Sequence, residues 1–229
     1  MGIANFILFT VVYMFLRSFD LHNKVFRRDL KNSLLFIFGM VIAIITLSIF
    51  TVILYNNHSV ELVHSKIELG DSIRNITICL FDYLGVAFFE ETLFRCAIFE
   101  YAAKKMSKTK AIFLSSVIFS AIHFIHYSHE ASWYFAYINA FLIGIILVII
   151  YLNTDSLMWP IGFHFAWNSF QDIVFTSEEF SVYTEVSFKA LSDNIETQYM
   201  ITILLSILLF ATLIFLKVKD KYNSGKLSV

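Results

Sequence analysis

The stretch FFEETLFRCAIFEYAAKK, residues 88–105, combines an apolar composition suited to lipid with charged side chains. Two adjacent carboxylates, Glu90 and Glu91, and the guanidinium of Arg95 lie within six residues. An ionisable group in the core of a bilayer costs about 2.5–3.5 kcal/mol on insertion scales and usually marks a function. The surroundings of these three charges therefore determine what the protein can do.

The composition of the whole chain places this stretch in a membrane protein. Of the 229 residues, 58% are hydrophobic, only 15% are charged, and 26 are phenylalanine. A soluble domain of this size must cover its surface with more polar and charged side chains. The length suits a single integral membrane domain over residues 1–229. The apolar composition predicts membrane lipid around the protein. Because no stripe of Lys and Arg is present, we expect no nucleic-acid partner.

Seven segments have the length and apolar character of membrane spans. A span needs roughly 20 apolar residues, with about 17–25 tolerated, and lipid leaves the backbone no open-ended alternative to the helix. The segments are 2–16, 34–55, 76–101, 111–127, 133–152, 157–175 and 199–216. The sequence thus predicts an all-α, polytopic transmembrane helical bundle of about seven spans, or six if the short first segment lies in the interface.

Lysine and arginine are unevenly distributed between the loops, and this asymmetry predicts the orientation in the membrane. The loops after the first and third spans and the C-terminal tail hold thirteen of them. The opposite side holds only Lys66, Arg74 and Lys189. We therefore predict a multi-pass protein of the cell membrane with its N-terminus outside and its C-terminus in the cytoplasm.

Helical spacing separates the two glutamates of the opening stretch. Residues four apart nearly eclipse each other on an α-helix, so Glu91 and Arg95 are expected to form an ion pair with the acid in the favourable N-terminal position. Glu90 points away from Arg95, which leaves its carboxylate available as a general base. The alternative is a structural ion cluster in which the three charges only neutralise one another.

Two later spans each carry a histidine with a partner four residues away. Phe119 precedes His123, which sets an aromatic ring beside an imidazole, and Asn168 follows His164 on the same helical face. Two hydrogen-bond donors that converge in a dry site can stabilise a developing oxyanion. The alternatives are a hydrogen-bonded packing histidine for His123 and a polar interhelical clasp for His164 and Asn168.

The predicted orientation places these groups in one layer between the midplane and the cytoplasm. At 1.5 Å per residue, Glu90 lies about 16 Å, His123 about 18 Å and His164 about 10 Å from the cytoplasmic ends of their spans. Such agreement between three helices favours a single site. Because no serine or cysteine is clearly paired with a base, the set of side chains indicates water as the nucleophile.

Three motifs, in this order, resemble those of the CPBP intramembrane proteases, which comprise the type II CAAX prenyl endopeptidases and bacterial relatives known as Abi or bacteriocin-processing proteins. EETLFR at 90–95 fits EExxxR, FSAIH at 119–123 fits FxxxH, and HFAWN at 164–168 fits HxxxN. The resemblance covers about residues 76–175, the predicted catalytic core, and its flanking sequence is similar to the bacterial branch.

The resemblance implies an intramembrane endopeptidase and a role for each motif residue. Glu90 and His123 would activate a water, and His164 and Asn168 would stabilise the tetrahedral oxyanion. The supporting residues would be Glu91, Arg95 and Phe119.

The expected cofactor and partners follow from the same reading. We expect no obligatory metal, since the chain lacks the HExxH motif; a zinc ion at Glu90, His123 and His164 is the alternative. The expected substrate is a peptide precursor or a lipidated or otherwise membrane-associated protein. The competing functions are a non-catalytic bacteriocin immunity or peptide-binding scaffold protein and a proton-coupled transporter.

Overall fold

The computed structural model describes residues 30–127, 133–176, 186–190 and 201–208, together with Thr10, Met14 and Thr184. Most of this part of the chain is helical, in agreement with the all-α prediction. In chain order the elements are α1 (Leu30–Asn56), β1 (Val60–His64), α2 (Leu69–Glu91), a π-helical segment (Thr92–Phe99), α3 (Glu100–Ala103), α4 (Lys108–Tyr127), α5 (Trp133–Thr154), α6 (Met158–Val174), β2 (Phe175–Thr176) and β3 (Val186–Ala190). A helical stretch over 201–208 is named α7.

Two of the described helices have the length and the apolar composition to cross a membrane. They are Leu30–Asn56 and Tyr134–Thr154, and they coincide with the predicted spans 34–55 and 133–152. The count of seven spans stays a prediction. Except for Thr10 and Met14, the first predicted span, 2–16, lies outside the described residues, as does most of the last, 199–216.

Helix α6 lies at the centre of the bundle and packs against α1, α2 and α5. It approaches α1 most closely, because a glycine lies on each side of the crossing. A Cβ atom on Gly39 would collide with the carbonyl oxygen of Trp159, and one on Gly162 would collide with the carbonyl oxygen of Phe36. Small residues at such crossings let two helix backbones approach, which is how helices gain packing energy in lipid.

Two side-chain contacts fix the relative directions of these helices. The hydroxyl of Ser156, just before α6, donates to Oδ1 of Asn32 at the start of α1 (2.6 Å), so α1 and α6 run parallel. Near the other end, Sγ of Cys79 on α2 lies 3.7 Å from Oδ2 of Asp172 on α6, so α2 and α6 run antiparallel. Helix α2 therefore runs opposite to both α1 and α6.

A small three-stranded sheet, which the sequence did not predict, joins the ends of α1 and α6. Its strand order is β1-β3-β2, with β1 antiparallel and β2 parallel to β3. Strand β1 follows α1 and strand β2 continues directly from α6, so the sheet lies at one end of this parallel pair. Val60 of β1 packs with Phe50 and Leu54 of α1, which anchors the sheet to the bundle.

The helix that carries EETLFR is not α-helical throughout, because Thr92–Phe99 forms a π-helix. The sequence predicted an uninterrupted helical span over 76–101, with α-helical spacing, and that spacing is wrong after Glu91. Segments of π-helix are rare and occur frequently at functional sites. The wider π turn still leaves Glu91 and Arg95 on the same side of the helix, where they contact each other.

Candidate active site

Glu91, Arg95 and His164 form a sealed cluster inside the bundle. Nε of Arg95 lies 3.0 Å from Oε2 of Glu91, and Nδ1 of His164 lies 2.8 Å from Oε1 of the same carboxylate. The side chains of Glu91 and Arg95 are 0% exposed and that of His164 is 6% exposed. A cation and an imidazole from two different segments thus share one buried carboxylate, and they lock α2 and the π-helical segment to α6.

The guanidinium of Arg95 is held by an aromatic ring as well as by Glu91. Its central carbon lies 4.8 Å from the ring centroid of Phe119 on α4, a cation–π distance. The contact of Nε with Glu91 has the distance of an ion pair but not the alignment of a hydrogen bond, since Nε, Nη1 and Nη2 all make no hydrogen bond to the described residues. Arg95 therefore joins its own segment to α4 directly, and it is linked to His164 on α6 through the shared carboxylate of Glu91.

Glu90 and His123 form an open pair on the other side of Glu91. Oε2 of Glu90 lies 4.0 Å from Nε2 of His123 and 3.8 Å from Nε2 of His164. The side chains of Glu90 and His123 are 20% and 26% exposed, in contrast to the sealed cluster. The three helices that carry the motifs thus bring Glu90, His123 and His164 to one point, where the expected single site lies.

The orientation of the His123 ring follows from a hydrogen bond within its own helix. Nδ1 of His123 lies 2.8 Å from the carbonyl oxygen of Phe119, and the two rings stack in a tilted arrangement with centroids 4.5 Å apart. A carbonyl can only accept, so Nδ1 carries the proton, and in the neutral ring Nε2 is an acceptor. The acceptor nitrogen of His123 therefore faces the carboxylate of Glu90.

Asn168 lies one turn beyond His164 on α6 and is partly buried. Among the described residues its amide makes no hydrogen bond to the other site residues. The four-residue spacing and the shared helical face are present, and the function of the amide at an oxyanion stays a prediction.

The part of the chain that the structure describes contains no group of three or more His, Cys, Asp or Glu side chains arranged to hold a metal ion. Tetrahedral zinc takes its nitrogen and oxygen ligands at about 2.0–2.2 Å. Glu90, His123 and His164 carry atoms of the kinds that zinc binds, and the expectation of no obligatory metal stays a prediction.

Sequence reasoning missed one residue that contacts the motif region. Oγ of Ser115 on α4 donates to the carbonyl oxygen of Phe94 in the π-helical segment (3.1 Å). Its position four residues before Phe119, and eight before His123, was a signal available in the sequence. A serine in an apolar helix is usually a packing residue, so the spacing alone did not single it out.

Comparison with known families supports the interpretation of the three motifs. Residues 72–170 match the family described as type II CAAX prenyl endopeptidase Rce1-like. This region contains all seven residues that the motifs single out, and it overlaps the predicted core at 76–175. No match was found among curated proteins or among solved structures.

Proposed function

We propose that this chain, which belongs to the CPBP family through its type II CAAX prenyl endopeptidase Rce1-like region, is an intramembrane endopeptidase in which Glu90 and His123 activate a water. The family is a protease family, and its members act on membrane-associated proteins or peptides. The observation that carries the proposal is that Oε2 of Glu90 lies within 4.0 Å of Nε2 of both His123 and His164, which come from two other helices.

The separations between these groups suit a bridging water. Distances of 3.8 and 4.0 Å exceed that of a direct hydrogen bond and are of the kind that a water can bridge. Glu90 and Nε2 of His123 are both acceptors, so a water between them donates one hydrogen to each. Its lone pairs then point away from the pair, toward the carbonyl carbon of a bound peptide.

The reaction begins when Glu90 takes one proton of this water as the oxygen attacks the peptide carbonyl. The new C–O bond converts the carbonyl into a tetrahedral oxyanion. Glu90 then returns its proton to the amide nitrogen, the C–N bond breaks, and an amine and a carboxylic acid leave. His123 keeps the remaining hydrogen of the water in place throughout, so it acts as an orienting acceptor.

His164 is positioned to stabilise the oxyanion. Its Nδ1 is fixed by Glu91, which leaves Nε2 to face the reaction centre. With a proton on each nitrogen, His164 donates from Nε2, and the two glutamates are balanced by two cations, Arg95 and His164. Asn168, one turn further on α6, supplies the second donor. Preorganised donors of this kind act most strongly in a water-excluded site.

The substrate that fits best is a peptide precursor or a lipidated or membrane-associated protein. Hydrolysis needs water at one side of the site and an otherwise dry environment at the other. The side chains of Glu90 and His123 are partly exposed, which supports access of water. The sealed cluster provides the dry environment.

The direct test compares the peptides released from membranes that contain the wild-type protein, the Glu90→Gln variant or neither. Mass spectrometry should find new termini only with the wild type. A non-catalytic immunity or scaffold protein would instead release nothing in any sample and keep its phenotype in Glu90→Gln. Equal cleavage by the wild type and Glu90→Gln would assign the base to another residue.

A further inference from the structure

One face of α4 carries three residues that contact the segment bearing EETLFR. Ser115, Phe119 and His123 follow one another at intervals of four residues, so they lie on one side of the helix. We propose that Ser115 is a positioning residue of this site, which holds α4 at the place where His123 faces Glu90. The inference rests on the proposed function and adds one turn to the FxxxH motif.

The contact made by Ser115 is buried and specific. Its hydroxyl donates to the carbonyl oxygen of Phe94 over 3.1 Å, and both residues are buried. Phe94 lies in the π-helical segment, four residues after Glu90. The hydrogen bond thus joins the backbone that carries the proposed base directly to the helix that carries His123.

The next two turns of α4 continue this line of contacts outward. The ring of Phe119 meets the ring of Phe94 edge-on, with centroids 4.9 Å apart, and lies under the guanidinium of Arg95. His123 then faces Glu90. Ser115 provides the one directional hydrogen bond of the series, whereas the aromatic contacts at Phe119 can slide.

The packing of the helices explains why such a bond matters. Helix α2 packs along α6, whereas α4 packs against α5, α3 and the π-helical segment. The relative position of Glu90 and His123 is therefore set largely through the π-helical segment. Segments of π-helix are rare and occur frequently at functional sites, so a contact to this segment bears directly on the site.

The neighbouring serine provides a matched control. Ser116 is as deeply buried as Ser115, but its hydroxyl makes no hydrogen bond to the described residues. Ser115→Ala and Ser116→Ala remove the same atom from adjacent positions on one helix. Only the first removes a bond to the π-helical segment.

The test measures kcat and KM for both alanine variants in purified, reconstituted protein. We expect Ser115→Ala to lower kcat about ten- to hundredfold with little change in KM, because a misplacement of about 1 Å can cost about a hundredfold. Ser116→Ala should remain within about twofold of the wild type. Ser115→Cys, which keeps a weaker donor of similar size, should restore part of the loss. Equal kinetics for the two alanine variants would overturn the proposal.

A second measurement does not depend on catalysis. Spin labels replace two exposed residues, Phe81 on α2 and Ile122 on α4, in a variant whose Cys79 and Cys96 are alanine. The distance distribution between the labels should shift or broaden in Ser115→Ala and stay unchanged in Ser116→Ala. If the wild type cleaves nothing, the proposed function fails, and this measurement still decides: a distribution unaffected by Ser115→Ala refutes the positioning role.

Discussion

Glu90 and Glu91 are neighbours in the chain and lie in opposite environments. Glu91 belongs to the sealed cluster, where Arg95 and His164 each approach one of its carboxylate oxygens. Glu90 belongs to the open pair, where its nearest ring nitrogens are 3.8 and 4.0 Å away. One carboxylate is held by direct contacts, whereas Oε2 of the other makes no hydrogen bond to the described residues.

The difference arises because adjacent side chains on a helix point in different directions. Successive side chains on a helix lie about 100° apart, so adjacent residues face different neighbours. Glu91 turns toward Arg95 and His164, which it contacts directly. Glu90 turns toward Nε2 of both His123 and His164, at longer distances. This difference supports the proposal that the sealed carboxylate maintains the structure and the open one performs the chemistry. Changes in the two regions should therefore fail in different ways.

The largest effect is expected from Glu90→Gln, which tests the open pair. Glutamine keeps the shape of the side chain but cannot accept the proton of a water. We expect kcat to fall by up to about 10⁴-fold, the upper range for general-base removal. Kinetics on purified protein give kcat, and thermal unfolding in detergent should show a midpoint close to that of the wild type. Wild-type turnover in this variant would show that Glu90 is not the general base.

Glu91→Gln tests the sealed cluster with the same chemical change one position later. It leaves the buried Arg95 without its carboxylate and places a neutral amide beside His164 Nδ1. Breaking a buried pair costs about 3–5 kcal/mol, so we expect a strongly lowered thermal midpoint and less folded protein in the membrane. Fluorescence-detected size-exclusion chromatography measures the folded fraction. A variant that folds normally and loses only kcat would show that Glu91 also acts in the chemistry.

Asn168→Ala examines the donor that the structure does not join to the other site residues. If the amide stabilises the oxyanion, kcat should fall by roughly 10²–10³-fold while KM changes little. The folded fraction should match that of the wild type, because Asn168 is only partly buried. An unchanged kcat would reduce the oxyanion site to His164 alone.

The smallest effect on kcat is expected from Gly162→Ala, on the face of α6 that packs against α1. The added methyl group would collide with the backbone of Phe36, which costs at least about 1–3 kcal/mol as overpacking. Gly70→Ala is the control, because a Cβ at Gly70 meets no atom within 4 Å. Gly162→Ala should lower the thermal midpoint while the folded fraction keeps its kcat, and Gly70→Ala should lower neither. A loss of kcat in folded Gly162→Ala would mean that this interface controls the site.

Much of the site could be predicted from the sequence because it is built from regular helical spacing. The pairing of Glu91 with Arg95 follows from four residues of helix, and the structure confirms it. The convergence of Glu90, His123 and His164 follows from alternating spans and similar depths, and the structure brings the three side chains together. Charged residues are costly in an apolar segment, so their positions carry information that a soluble helix would hide.

Other features depend on contacts between segments that no local pattern encodes. The π-helix at Thr92–Phe99 has the composition of an α-helix, and no local pattern marks the change of pitch. Strand β1 pairs with β3, more than one hundred residues away, and β2 has only two residues, so periodicity cannot reveal the sheet. The hydrogen bond between His164 and Glu91 was not predicted, because it joins two helices that are far apart in the sequence.

The central claim is that protein side chains alone activate the water at Glu90. The most direct measurement is the cleavage rate of wild-type protein in liposomes, after treatment with a strong chelator and with metal content determined by mass spectrometry. The account predicts full activity in the metal-free preparation. Activity that disappears with the metal and returns on addition of zinc would contradict it, and would assign Glu90, His123 and His164 to metal binding.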